Sequence, residues 1–192
     1  MPKFVLPFLV VGLLCASDAR AALIVYSAVL SGDIEAPPND SPGTGTARVW
    51  YDDVAHTLRV WTSFSNLVSP VTAAHIHAPT ALPGEGTAGV ATAVPTFPGF
   101  PAGVTAGSYD NTFDLALAES WNPAFVTANG GTTASAEAAF AAALASGRSY
   151  LNIHSEEFRA GEIRGFLTPV PEPASLLLFG LAAAGLACRR RR

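Results

Sequence analysis

Across residues 46–64 an apolar side chain falls on every second position, on both sides of an Asp-Asp turn. Ala47, Val49 and Tyr51 alternate with Arg48 and Trp50, and after Asp52-Asp53 the set Leu58, Val60 and Thr62 alternates with Arg59 and Trp61. A period of two sends alternate side chains to opposite faces of a strand. Aspartates tolerate left-handed backbone and bond their own chain, so the pair supplies the turn. The stretch predicts a β-hairpin. His56 falls at this turn, where we read it as solvated rather than as a ligand.

The same grammar recurs along the chain. Residues 22–30, rich in β-branched side chains, predict a first strand, and residues 71–77, 109–117, 150–154 and 162–167 predict others. Residues 31–45 carry Pro37, Pro38 and Pro42 and read as a loop. Residues 84–107 are rich in Gly and Pro and predict one or two short strands within long loops. Trp121 and Phe125 read as an anchor beneath a loop. The helix expectation falls on 134–146, with Thr133 as cap, Glu137 at the positive end of the dipole and Gly147 to stop it. Strands spaced by turns, with one short helix, predict an all-β fold, an antiparallel β-sandwich.

Two strands concentrate polar chemistry. In residues 71–77 Ile76 points one way and His75 and His77 the other; in 150–154 Leu151 and Ile153 oppose Tyr150, Asn152 and His154. Residues two apart on a strand share a face about 6.5–7 Å apart, so His75 and His77 can reach one ion, and His154 adds a third nitrogen if its strand is near. Three imidazoles suit Cu or Zn. The alternative is structural: the histidines bond Asn152, Glu162 or loop carbonyls and pin the Gly-rich loop, while Arg164 pairs with Glu156, Glu157 or Glu162 in an exposed bond of little energetic weight. Structure is the first reading and a metal the second, because the spacing alone is a weak motif.

Both ends read as processing signals. Lys3 precedes an apolar run over residues 4–16, shorter than the ~20 residues of a membrane span, and Ala19-Arg20-Ala21 offers an A-x-A cleavage site. Residues 1–21 are thus expected to be a signal peptide and 22–168 one domain. Trimmed of both ends, residues 22–168 keep five arginines against thirteen acids, a net charge near −8. Such a surface repels phosphate backbones, so nucleic acid is not an expected partner. Cys15 and Cys188 both lie in the terminal segments, so the domain must hold together without disulfides. No nucleophile–base pair, phosphate loop or dinucleotide fingerprint stands out, which points away from an enzyme.

Two resemblances follow from these residues. The run AHIHAPT at 74–80, the Gly-rich stretch, and YLNIHSEEFRAGEIRGFL at 150–167 resemble the CHRD domain, whose motif maps here onto Tyr150, Asn152, Gly161, Glu162, Arg164 and Gly165. Residues 169–192 resemble a PEP-CTERM sorting signal: Pro171-Glu172-Pro173, an apolar segment, then Arg189, Arg190, Arg191 and Arg192. The arginines are expected on the cytoplasmic side by the positive-inside bias. The resemblances imply export past signal peptidase, a transient inner-membrane anchor, and processing by an exosortase-type enzyme in a Gram-negative bacterium. The destination implied is the cell surface or exopolysaccharide matrix, with envelope polysaccharide or surface proteins as partners.

The implied sandwich is Ig-like or superoxide-dismutase-like, a Greek key. The CHRD family is distantly similar to copper/zinc superoxide dismutase, which makes Arg164 an analogue of that enzyme's late arginine. Four histidines outside the terminal segments, His56 among them, are too few for a dinuclear dismutase, so a mononuclear Cu or Zn site is the alternative to a non-enzymatic module.

Overall fold

A computed structural model of the chain describes residues 23–171. Ala19 and Ala21 of the expected cleavage site, and Glu172, Pro173, Arg189, Arg190, Arg191 and Arg192 of the sorting signal, lie outside the described residues; Pro171 is the last of them and is exposed. Eight strands appear among the described residues: β1 (Ile24–Ser31), β2 (Thr44–Asp52), β3 (Thr57–Ser65), β4 (Val71–His77), β5 (Gly107–Asp114), β6 (Tyr150–Ser155), β7 (Ile163–Phe166) and β8 (Thr168–Pro169). They pair antiparallel in the order β4-β6-β7-β1-β2-β3-β5, with β8 on β1. The all-β, sandwich-like fold is therefore a single sheet curled into a half-barrel. No helix among the described residues is long and apolar enough to cross a membrane.

The hairpin register explains the core. Val49 pairs with Val60 and Tyr51 with Leu58, so the alternation seen in sequence falls on one inner face. Val49, Leu58 and Val60 are fully buried, and Leu30, Ile76, Leu151, Ile153 and Ile163 close the same core from the rest of the sheet. Gly165 sits where β7 runs against β1, and a Cβ there would collide with the Val29 carbonyl. A side chain would push the two strands apart, so only glycine fits this crossing.

Closure comes from the long connection between β4 and β5, which lie at opposite ends of the sheet. Phe97 donates its backbone N–H to Ala74 of β4 at 3.0 Å and stacks on Tyr109 of β5 at 5.8 Å between centroids. The loop so satisfies the β4 edge, which would otherwise offer unpaired backbone groups, and packs on β5 through side chains. Instead of the short strands expected in 84–107, this stretch makes isolated bridges, His77 with Val90 and Thr92 with Trp121. Its prolines cannot donate to a ladder, and that keeps it irregular.

The expected helix is present as α2 (Thr133–Ala145), and a shorter one, α1 (Pro123–Ala128), precedes it. The α2 cap is Thr132 rather than Thr133, in a reciprocal capping box with Ser135. Trp121 is buried and meets Phe140 edge-on at 5.6 Å, anchoring the helix to the open end of the half-barrel. Glu137 is buried, not solvated: it accepts from the Tyr51 hydroxyl at 3.1 Å and faces His56 Nδ1 at 2.9 Å. His56 is indeed largely exposed, but this contact ties the hairpin turn to α2.

Ile153 has no exposed surface in the middle of this core. Ile153→Ala is expected to cost about 2–5 kcal/mol, read as a lowered denaturation midpoint at unchanged slope. A loss below about 0.5 kcal/mol would mean that Ile153 does not pack where the fold places it.

Candidate metal centre

The face of β4, β6 and β7 opposite the core is polar, yet it is shut away from water. Cross-strand partners in an antiparallel pair share a face. His75 lies opposite Asn152 and Asn152 opposite Arg164; His77 lies opposite Tyr150 and Tyr150 opposite Phe166. His154 lies opposite Ala73, on the diagonal from His75. The inward–outward phase of both strands is as the alternation indicated. The outward side chains are covered, however: His75, His77, Asn152 and Arg164 are all under 9% exposed. The 78–106 connection folds back over them.

The three histidines are brought together. One ring nitrogen of each lies within 4.8 Å of those of the other two. Their centroids are 5.3 Å apart for His75–His154, 5.7 Å for His77–His154 and 5.8 Å for His75–His77. Each ring spends one nitrogen on a backbone carbonyl. His75 Nε2 donates to Pro95 at 2.6 Å, His77 Nδ1 to Ala88 at 2.9 Å and His154 Nδ1 to Arg159 at 3.0 Å. A carbonyl can only accept, so each bond fixes a tautomer and leaves a bare lone pair on the other nitrogen. Those nitrogens, His75 Nδ1, His77 Nε2 and His154 Nε2, are buried and have no partner.

Electrostatics keep the rings neutral. Desolvation pulls all three below the ordinary histidine value, His77 to about 4, and the proximity of the rings lowers His77 and His154 further. A neutral imidazole with its second nitrogen held by a carbonyl is the form that binds metal. Donors on one ion at about 2.0–2.1 Å stand at most about 4.2 Å apart, so a pair near the 4.8 Å limit closes through small side-chain rotations.

The surrounding motif residues are struts. Tyr150 stacks on His77 at 4.8 Å with the rings 3° from parallel, and its hydroxyl meets Ala88 of the covering loop. Arg164 departs from the sequence reading: it is 3% exposed and does not pair across the turn with Glu156, Glu157 or Glu162. It lies 3.7 Å from Glu35, donates to the carbonyls of Ile34 and Gly86, and stacks over Tyr150 at 4.7 Å. Its Nε and Nη1 are bound to carbonyls of the two loops, which makes it a clamp on both. Glu162 is fully buried and accepts from Ser41 Oγ and Val68 N–H, both at 2.6 Å. Gly161, at φ +136°, lies against Asn152 and Glu35, where a Cβ would collide with both side chains.

Sequence reasoning missed Glu35, Asn39 and Ser41, all in the proline-rich loop after β1. Asn39 Nδ2 donates to the Glu162 carbonyl at 3.1 Å, joining the loop to the same motif. Their only local signal was polarity, which every loop shares.

A family model of the CHRD domain matches residues 26–167, and a model of the PEP-CTERM protein-sorting motif matches residues 169–192. No curated protein and no solved structure matches the chain. The sorting motif carries export, a transient C-terminal membrane anchor and handling by an exosortase-type system.

Glu35 makes the polar face pH-sensitive. Burial raises its carboxyl from about 4.5 to about 7, outweighing the lowering by Arg164. The folded state then holds this proton more tightly than the unfolded chain, so the contribution is full below about pH 4.5 and is lost as pH rises through about 7. Glu35→Gln removes the titration. Its melting temperature relative to wild type is expected to improve between about pH 5 and about pH 8. A difference that stays constant over that range would contradict the assignment.

Proposed function

Because the chain belongs to the CHRD domain family and carries a PEP-CTERM sorting motif, we propose that it is a non-enzymatic exported β domain whose His75, His77 and His154 hold one Cu or Zn ion as an internal staple. Its destination on this reading is the surface or exopolysaccharide matrix of a Gram-negative bacterium. Signal peptidase acts at Ala19-Arg20-Ala21, and an exosortase-type enzyme near Pro171-Glu172-Pro173. The observation that carries the metal reading is the clustering of three histidines, one ring nitrogen of each within 4.8 Å of the others, in which every ring has one nitrogen fixed by a carbonyl and one buried without a partner.

Hydrogen bonding alone does not account for this arrangement. A strut needs one polar contact, and a hydroxyl would supply it without leaving a second polar atom dry. Each unpartnered buried group costs about 1–3 kcal/mol. An ion shared by the three would turn that cost into coordinate bonds. Three neutral imidazoles with no carboxylate or thiolate favour Cu or Zn over Mg or Ca. His56 is held at Glu137, away from this group, so a second metal site of dismutase type has no histidine to draw on.

The staple role follows from what the rings touch. His75 and His77 sit on β4 and His154 on β6, and their carbonyl partners belong to the 78–106 loop and the turn before β7. Metal held there ties two strands and two loops at one point. That is the work a disulfide does in many exported domains, and no cysteine falls within the described residues. The facing nitrogens are closed to solvent, which suits an ion that stabilises rather than one that turns over substrate.

Metal analysis of the protein recovered from its native envelope is expected to find about one Cu or Zn per chain. His77→Ala and His154→Ala should each abolish binding by calorimetry. Zinc at 100–1,000 times Kd should raise wild-type stability by about 2.7–4.1 kcal/mol and leave both variants unmoved. Native protein free of either metal, with affinity no greater than that of free histidine, would return these residues to the role of struts.

A further inference from the structure

The outward face of the sheet over β1, β2 and β3 holds a trough of ≈ 1010 Å³, lined by none of the three clustered histidines, that export and metal binding leave unexplained. Its floor is built by register. Trp50 lies opposite Arg59, and Arg48 opposite Trp61, which lies opposite Asp110 of β5. The two indoles therefore sit on a diagonal, about 7–8 Å apart at the backbone. They are only partly buried, on a face where period-two patterning would place small polar side chains.

The charges are arranged as well as the rings. Arg59 stacks over Trp50 at 4.9 Å and is locked to Asp110 by two bonds of 2.8 and 2.6 Å. Arg48 makes no ion pair among the described residues. The ionised side chains lining the trough thus sum to one positive charge. The described domain as a whole holds five arginines against thirteen acids. A single positive, aromatic-floored trough on so acidic a body selects a ligand that is itself anionic, extended and able to stack.

Nucleic acid meets those terms locally, but the net negative charge of the body opposes a polyphosphate over its length. Compared with the double helix, at one charge per about 1.7 Å of axis, a glycan carrying carboxylates or sulfates spaces its charges more widely, and it offers C–H-rich ring faces to the indoles. We propose that Trp50, Trp61 and Arg48 form a binding site for an acidic polysaccharide, with the Arg59–Asp110 pair holding Trp50 in place and offering hydrogen bonds to ring hydroxyls. The indoles stack on successive sugar rings, and Arg48 pairs with a carboxylate or sulfate. The site is independent of the histidine cluster.

Isothermal titration of the envelope-derived protein with octameric oligogalacturonate and with a hyaluronate octamer tests this. Hexameric N-acetylglucosamine serves as the uncharged comparison. At least one anionic oligomer should bind saturably, at least tenfold tighter than the neutral one. Arg48→Gln and Trp61→Ala should each weaken it at least tenfold while leaving zinc binding and the melting temperature unchanged. Arg48 is exposed, so that variant remains informative if Trp61→Ala misfolds. Failure of both anionic oligomers to bind would overturn the proposal. So would equal binding of the neutral one, variants that bind like wild type, or sedimentation showing the trough covered by a second copy of the chain.

Discussion

A polar sheet face closed off from water must find partners for its atoms, and much of this molecule is arranged around that requirement. The outward face of β4, β6 and β7 carries His75, His77, His154, Asn152 and Arg164. Two loops and the turn between β6 and β7, which offers the Arg159 carbonyl to His154, supply the partners. Pro95, Ala88 and Gly86 offer carbonyls from above, while Ile34 and Glu35 approach from the loop after β1. The loops are ordered because the face needs them, and the face is buried because the loops cover it. Neither half stands alone, since buried polar groups are costly unless satisfied and long loops pay entropy unless anchored. Three imidazole nitrogens, with Asn152 Oδ1 and Glu35 Oε1, are left over as atoms that protein partners do not complete, and the nitrogens alone come as a cluster of metal-competent lone pairs.

The two faces of the sheet divide the work. Inward side chains make an apolar core from every strand but the shortest, with Trp121 and Phe140 closing its open end. Outward side chains differ by region: histidines and a clamped arginine under loops at one end, tryptophans and arginines in the open at the other. An exported domain without cysteines needs strength from elsewhere, and a sealed cluster of metal-competent nitrogens is suited to give it. The open end keeps its aromatics where a partner can meet them.

Strand phase was legible because alternation is a local signal. Val49 opposite Val60, and Ile153 beneath His154, follow from period two and a turn, and β4 was delimited in sequence to the residue. That β4 and β6 are neighbours was not legible, as nothing local brings His75 near His154. Burial of the histidines was missed for a related reason: the alternation says which way a side chain points but not what lies above it. The pairing of Arg164 failed for distance in sequence. Its nearest acids along the chain are Glu156, Glu157 and Glu162, whereas its partners include the Ile34 carbonyl, 130 positions away. Glu162, one of those acids, was already taken by Ser41 and Val68.

The central claim is that three fixed tautomers aim bare nitrogens at a common point. Nitrogen-15 correlation spectra of the histidine rings, recorded on the metal-free protein at neutral pH and again after one equivalent of Zn, test it most directly. The account requires His75 protonated on Nε2, and His77 and His154 on Nδ1, before metal. On adding Zn, the three opposite nitrogens should shift together as one species, with His56 unchanged. Rings that exchange between tautomers, or a spectrum in which His56 responds to zinc and the other three do not, would contradict it.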